Sequence, residues 1–274
     1  MILLASISSV LLDTFLLLVA ILAPFVVFAV IIHWLEHLIF VRLAERFGWK
    51  VVLWTGWLGT PIHELSHAVM CKLFNHRIDE IALFEPDLQS GRLGFVRHSF
   101  RRGNWFEEVG NFFIGIAPLI GGSIALAILL WIFFPGAATQ AVKLTSEGAT
   151  PGIDFGIVSS ALTVLREIVT LENVFTVRFW VFIYLVLCVG GHMAPSGSDY
   201  QGATRGVLMV GGALALVAFT VAAMQIDLST SIGQIASLLT PLFALLLLTL
   251  VLCSLGAAVV FLITSFIPAT RRWR

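Results

Sequence analysis

The chain has 274 residues, 59% of them hydrophobic, with 22 Phe and 8 Trp but only 12% charged, and its mean hydropathy is +1.00. No water-soluble core of this size hides so much apolar surface, so the composition excludes a soluble globular enzyme and points to a polytopic, mainly α membrane protein. Sixteen basic residues balance sixteen acidic ones, which leaves no electrostatic footprint for nucleic acid.

The first segment, Met1 to Phe40, lacks the basic start of a signal peptide and is too long for its apolar core, so it reads as a retained membrane segment. Forty residues of helix extend roughly 60 Å, about twice a hydrocarbon core. The part holding Asp13 is therefore expected in the interface, and the span proper over Thr14 to Phe40, with Pro24 as a candidate kink. This span closes on His33-Trp34-Leu35-Glu36-His37, an inverted zinc motif of the form His-x-x-Glu-His. Arg42, Glu45 and Arg46 follow, and Trp34 suits an interfacial belt, so a solvated helix end is expected here rather than a metal site. These side chains could still line a path to the main site.

The stretch that carries chemistry is His63-Glu64-Leu65-Ser66-His67, within an apolar segment from Val51 to Phe74. On a helix, histidines at i and i+4 share a face and can hold one zinc ion, with Glu64 reaching a water beside it. Two histidines and a carboxylate near bilayer depth are costly unless something pairs with them, and a metal ion would. Gly59-Thr60-Pro61 reads as a helix start or a kink, with Thr60 as cap and Pro61 at the first helical position.

After Arg77, Ile78, Ile81 and Leu83 alternate with polar residues, as do Leu93 and Phe95. Glu85-Pro86-Asp87 and Gln89-Ser90-Gly91 lie between them, a pattern that predicts a small β-hairpin. Arg92, Arg97, Arg101 and Arg102 give it a membrane-surface character, and its edge could receive an extended peptide. A third span follows over residues 109–134, with Asn111, Gly115, Pro118 and Gly121-Gly122 allowing close helix approach. Residues 135–175 read as an interfacial connection in which Val158, Leu162, Leu165 and Val169 mark an amphipathic helix on the membrane.

The fourth span, Val177 to Met193, leads into Gly191-His192-Met193-Ala194-Pro195-Ser196-Gly197-Ser198-Asp199. A catalytic zinc takes three protein ligands and an open position. Asp199, on an irregular loop folded into a polar cavity, is the preferred third ligand, and His192 is the alternative. His192, Asn111 and Ser196 are candidates for contacts to substrate or to the ligands. The fifth and sixth spans, Val207 to Met224 and Leu238 to Ile267, carry no catalytic feature, and Arg271-Arg272-Trp273-Arg274 reads as an interfacial anchor. Cys71, Cys188 and Cys253 lack metal-site spacing and read as core filling. The whole chain, 1–274, is thus expected to be one membrane domain. Its parts are the motif helix and hairpin at 51–105, the third span, the connection, the second ligand stretch at 177–205, and C-terminal spans over 207–267. The count is about six helices, each long enough for a bilayer, with cytoplasmic termini by the distribution of Lys and Arg.

Pro61-Ile-His-Glu-Leu-Ser-His-Ala-Val69 resembles the motif of the site-2-protease family of zinc intramembrane proteases, with Ser66 where Gly is common. Gly115-Ile-Ala-Pro118 is similar to the Gly-Pro element of that family's next helix, and Asp199-Tyr-Gln-Gly202 is a loose match to its Asp-Gly ligand pair. The resemblance covers residues 51–205. It implies Zn2+ held by His63 and His67, Glu64 as general base, and a membrane-protein or peptide substrate cut within the bilayer. The absence of PDZ- or CBS-like regions suggests a compact enzyme of the bacterial inner membrane. The alternatives are a divalent-metal transporter, since histidine and carboxylate at mid-membrane also describe an ion path, and a protease-like binding protein without activity.

Overall fold

A computed structural model of the chain describes residues 2–48, 50–87, 91–147, 155–223 and 228–268. It is mainly helical: α1 (Ile2–Phe47), α2 (Lys50–Leu73), α3 (Trp105–Phe133), α4 (Pro135–Glu147), α5 (Phe155–Ile168), α6 (Leu171–Val174), α7 (Val177–Gly190), α8 (Gly197–Ala223) and α9 (Leu228–Ser265). Between α2 and α3 lie two strands, β1 (Arg77–Ala82) and β2 (Phe95–Ser99), paired antiparallel with Ile78 opposite His98 and Ala82 opposite Phe95. This is the hairpin expected from the alternation. The anchor at Arg271 to Arg274 and the turn residues Gln89 and Ser90 lie outside the described residues.

Three helical segments among the described residues are long and apolar enough to cross a membrane: Phe25–Phe47 in α1, all of α3, and Leu242–Ser265 in α9. Most outward-facing side chains along them are apolar, as at Val30, Ile128 and Leu262, the reverse of a water-soluble surface, with His33 and His37 of α1 among the exceptions. Six such spans are not supported. With 14 residues, α7 is roughly 21 Å long against a hydrocarbon core of about 30 Å. Helix α2 carries Lys50, Thr55, Thr60, His63, Glu64, Ser66, His67 and Lys72. The first span also differs from expectation, because α1 continues as one helix to Phe47 and its membrane-length apolar stretch extends past Phe40. What permits this is α9: Arg42 donates to Thr264 Oγ1 at 3.2 Å, Arg46 donates to the Thr264 carbonyl at 3.2 Å, and Arg42 lies over the Phe261 ring.

Sequence explains where α3 begins. Asn104 caps it by accepting from the Phe106 N–H, and Glu107 and Glu108 occupy the first turn, where the helix dipole favours negative charge. Arg101, leaving the hairpin, donates to Glu107 from its backbone and its guanidinium, which ties β2 to this helix. Helix α2, by contrast, does not start at Pro61 but runs through it from Lys50. Thr60 is buried, and its hydroxyl finds no partner among the described residues, so it does not act as a cap. In the connection, α5 forms over the expected region, yet it buries Val164 and Ile168 and leaves Leu162 outward, and Val169 lies just beyond its end.

One core runs between α1, α3, α7 and α9, built from Ile32, Leu119, Leu126, Phe182, Ile183 and Leu246 among others. Close approach of α7 to α2 depends on Gly59, because a Cβ there would collide with the Cys188 carbonyl and the His192 ring. Gly59→Ala is therefore expected to lower the midpoint of thermal unfolding in detergent, by the equivalent of roughly 1–3 kcal/mol of overpacking. Gly211→Ala on α8, with open space around it, should hold or raise the midpoint, since alanine is favoured over glycine within a helix by about 1 kcal/mol. Equal midpoints for the two variants would contradict this packing.

Candidate metal centre

The centre is assembled on α2, where one helical turn places His63 and His67 with ring centroids 4.8 Å apart. Each ring is held by its Nδ1 atom: His63 Nδ1 is 2.7 Å from the His192 carbonyl, and His67 Nδ1 is 2.8 Å from the Ile114 carbonyl. A carbonyl only accepts, so both Nδ1 atoms carry hydrogen and both Nε2 atoms turn inward, each offering a lone pair whenever it holds no proton. The two Nε2 atoms are 3.1 Å apart. Two bare nitrogens at that distance repel unless a proton or a metal ion lies between them.

Both carbonyl partners are free for a local reason. In α3 the Ile114 carbonyl would accept from the N–H four residues on, but that residue is Pro118, which has none. His67 takes the donor's place. His192 follows the end of α7, whose cap at Gly191 donates back to Leu187, so its carbonyl is outside any helical ladder.

Asp199 faces the two imidazoles, with Oδ1 3.3 Å from His67 Nε2 and Oδ2 3.6 Å from His63 Nε2. Its place in the fold corrects the loop expected from the sequence: it stands in the first turn of α8, at the third helical position. From there Oδ2 accepts from the Ser196 backbone N–H at 2.6 Å and from the Ser196 hydroxyl at 2.7 Å, as a carboxylate at this position reaches back to a helix N-terminus. Oδ1 is left toward the histidines. One ligand atom each from His63, His67 and Asp199 lies within 4.8 Å of the others. Ligands of a tetrahedral ion with bonds of about 2.0–2.1 Å sit roughly 3.3 Å apart, so the donor set and its spacing fit a metal ion.

The other expected residues divide by position. Glu64 is buried, and it lines a cavity of about 530 Å³ together with the three ligand residues, Asn111, His192 and Ser196. His192 turns its ring away from the ligand set, with Nε2 3.1 Å from Thr55 Oγ1, and meets the centre through its carbonyl. Asn111 donates to the Glu107 and Glu108 carbonyls of its own helix. The cavity's hairpin wall runs from Arg92 to His98.

Sequence reasoning placed Glu36 at a solvated helix end; the structure does not. His33 and His37 are exposed, but Glu36 enters the cavity wall. One of its oxygens is held by the Ala194 backbone, and Oε2 is buried without a partner among the described residues. Thr60 Oγ1, the other such atom, lines the same cavity. Two orphaned polar atoms on residues lining one cavity mark a place for water or for a polar group of a ligand. Sequence reasoning also passed over a second group, Cys71, His76 and His98, whose ligand atoms likewise lie within 4.8 Å of one another. Burial, with His76 beside it, pushes the His98 imidazole down to about 4, so it is neutral at ordinary pH.

Comparison with family models, with curated proteins and with solved structures finds no match. The centre therefore rests on its own geometry. Metal content and affinity of the purified chain should fall by 100-fold or more in His67→Ala and Asp199→Ala, whereas His192→Phe, which keeps the carbonyl, should stay within about 10-fold of wild type. Pro118→Ala supplies an N–H that competes with His67 for the Ile114 carbonyl, and should weaken binding by about 10-fold. Unchanged affinity in Asp199→Ala would remove it from the ligand set.

Proposed function

We propose that the protein is a zinc-dependent intramembrane endopeptidase similar to the site-2 proteases, acting on membrane-protein segments. The observation that carries this reading is the convergence of two imidazoles and a carboxylate on one point of a cavity that also holds the buried Glu64. Two nitrogens and an oxygen with an open fourth position are the donor set of a hydrolytic zinc site. Zinc bound there would supply Lewis-acid polarisation of the scissile carbonyl and a water acidified toward pH ~7.

The chain's own residues do the rest. Glu64, adjacent in sequence to the first ligand, takes the proton of the attacking water and passes it to the leaving amine. Asp199, tied by Ser196, keeps one oxygen toward the histidines and neutralises part of the ion's charge. Depth is argued from α1: Glu36, inside its apolar Phe25–Phe47 stretch, lines the same cavity as the histidines. Non-helical backbone beside such a cavity is tolerated at membrane depth because it is covered by protein or water. The Arg92 to His98 wall includes most of β2, the edge at which an unwound substrate strand could be held. Helical amides are shielded, so an unwound substrate is required. On this reading α2, α7 and α8 pack against the three membrane-length helices, in a bacterial inner membrane with cytoplasmic termini.

Glu36 and Thr60 present their orphaned oxygens to the same space, which suits holding water or a substrate amide. Reconstituted with a helix-destabilised membrane peptide, wild type should cleave it, and Glu64→Gln should be slower by 10²–10⁴-fold with metal retained, the range for loss of a general base. Glu36→Gln, which keeps one acceptor but loses the carboxyl group, should slow cleavage by about 10-fold with metal content unchanged. Cleavage by Glu64→Gln at the wild-type rate would overturn the mechanism. Metal flux into liposomes that survives this substitution would favour a transporter instead.

A further inference from the structure

At its C-terminal end α2 closes with Asn75 in the left-handed conformation, φ 60°. The Asn75 N–H reaches the Lys72 carbonyl at 3.2 Å, and the His76 N–H reaches the Cys71 carbonyl at 2.8 Å. This paired arrangement is a Schellman closure, and it brings the side chains of its first and last residues together. Here those residues are Cys71 and His76. The first is fully buried and the second is 3% exposed. The hairpin register then sets His98 opposite Ile78, and His98 Nδ1 comes to 2.9 Å from His76 Nδ1.

His76 is oriented as a ligand would be. Its Nε2 atom is 2.7 Å from the Glu107 carbonyl, so that nitrogen carries the hydrogen and Nδ1 offers its lone pair to His98 and Cys71. A backbone carbonyl behind a histidine is the usual outer partner of a metal-binding imidazole. Phe100 stacks on the His76 ring at 5.2 Å between centroids, which fixes the ring plane. One thiol and two imidazoles within 4.8 Å of one another form the donor set of a soft-to-borderline divalent ion, with tetrahedral separations of about 3.3–3.6 Å.

We propose that Cys71, His76 and His98 bind a second zinc ion, which fastens the base of the hairpin to the end of α2 and to α3. Binding takes the Cys71 thiol as thiolate and releases one proton. Because His98 also lines the large cavity, the ion enters from that side. Its effect is to fix β2, the wall opposite the first centre, and this holds whether or not the first centre hydrolyses peptides. Without an ion the group is a His–His hydrogen bond beside a buried thiol.

Cobalt tests this directly, because the first centre contains no sulfur. The full chain, purified in detergent, stripped of metal and titrated with Co2+, should develop thiolate-to-cobalt charge transfer in the near ultraviolet. The absorption should persist in the His63→Ala/His67→Ala double variant, and should be lost in Cys71→Ala and reduced at least 10-fold in affinity in His98→Ala. Should Cys71→Ala fail to fold, a Cys188→Ala/Cys253→Ala variant that retains the band assigns it to the one remaining thiol. Absence of the band in wild type at excess cobalt, or its persistence in folded Cys71→Ala, would overturn the second site. Loss of first-centre binding alone would leave this site intact and count only against the proposed hydrolase.

Discussion

Everything at the centre of this molecule follows from two hydrogen bonds that look minor. The His192 and Ile114 carbonyls fix the Nδ1 hydrogens of His63 and His67, and so aim two Nε2 lone pairs at one point. Rotated the other way, the same residues would be a pair of satisfied core histidines. The two carbonyls are available because the backbone is irregular where it needs to be: one lies beyond the end of α7, and the other is orphaned by Pro118. A helix-disrupting residue within α3 thus has a chemical consequence, since it redirects an acceptor from the ladder to His67.

The rest of the fold holds three segments around that point. α2 presents the histidines, α3 supplies Ile114, and the α7–α8 junction supplies both the His192 carbonyl and Asp199. Gly59 lets the junction approach α2, and Gly121 faces the Ser66 side chain with no room for a Cβ, which keeps α3 close on the other side. Ser66 is accommodated by donating to the Ile62 carbonyl of its own helix. The hairpin closes the cavity from outside, tied to α3 through Arg101 and Glu107.

How legible this was in the sequence varied with the range of the interaction. Histidines at i and i+4 with an intervening glutamate are a local pattern, and so are the alternating runs of the hairpin. Ser196-x-x-Asp199 has the spacing of a carboxylate reaching back to a helix start, so the first turn of α8 could have been read in place of a loop. Glu36 could not be placed the same way. Charged residues after Phe40 suggested that the span had ended, but Arg42 and Arg46 are taken up by Thr264, more than two hundred positions away. Likewise, nothing in the spacing of Cys71, His76 and His98 announces a cluster. It exists because the α2 closure and the strand register coincide.

The most direct test of the account is X-ray absorption at the zinc edge on purified protein carrying Cys71→Ala, which removes the second site. The account predicts nitrogen and oxygen neighbours at about 2.0–2.2 Å, no sulfur, and the outer-shell scattering of two imidazoles, one of which disappears in His67→Ala. A protein that binds no metal, or a shell with fewer than two imidazoles, would contradict it.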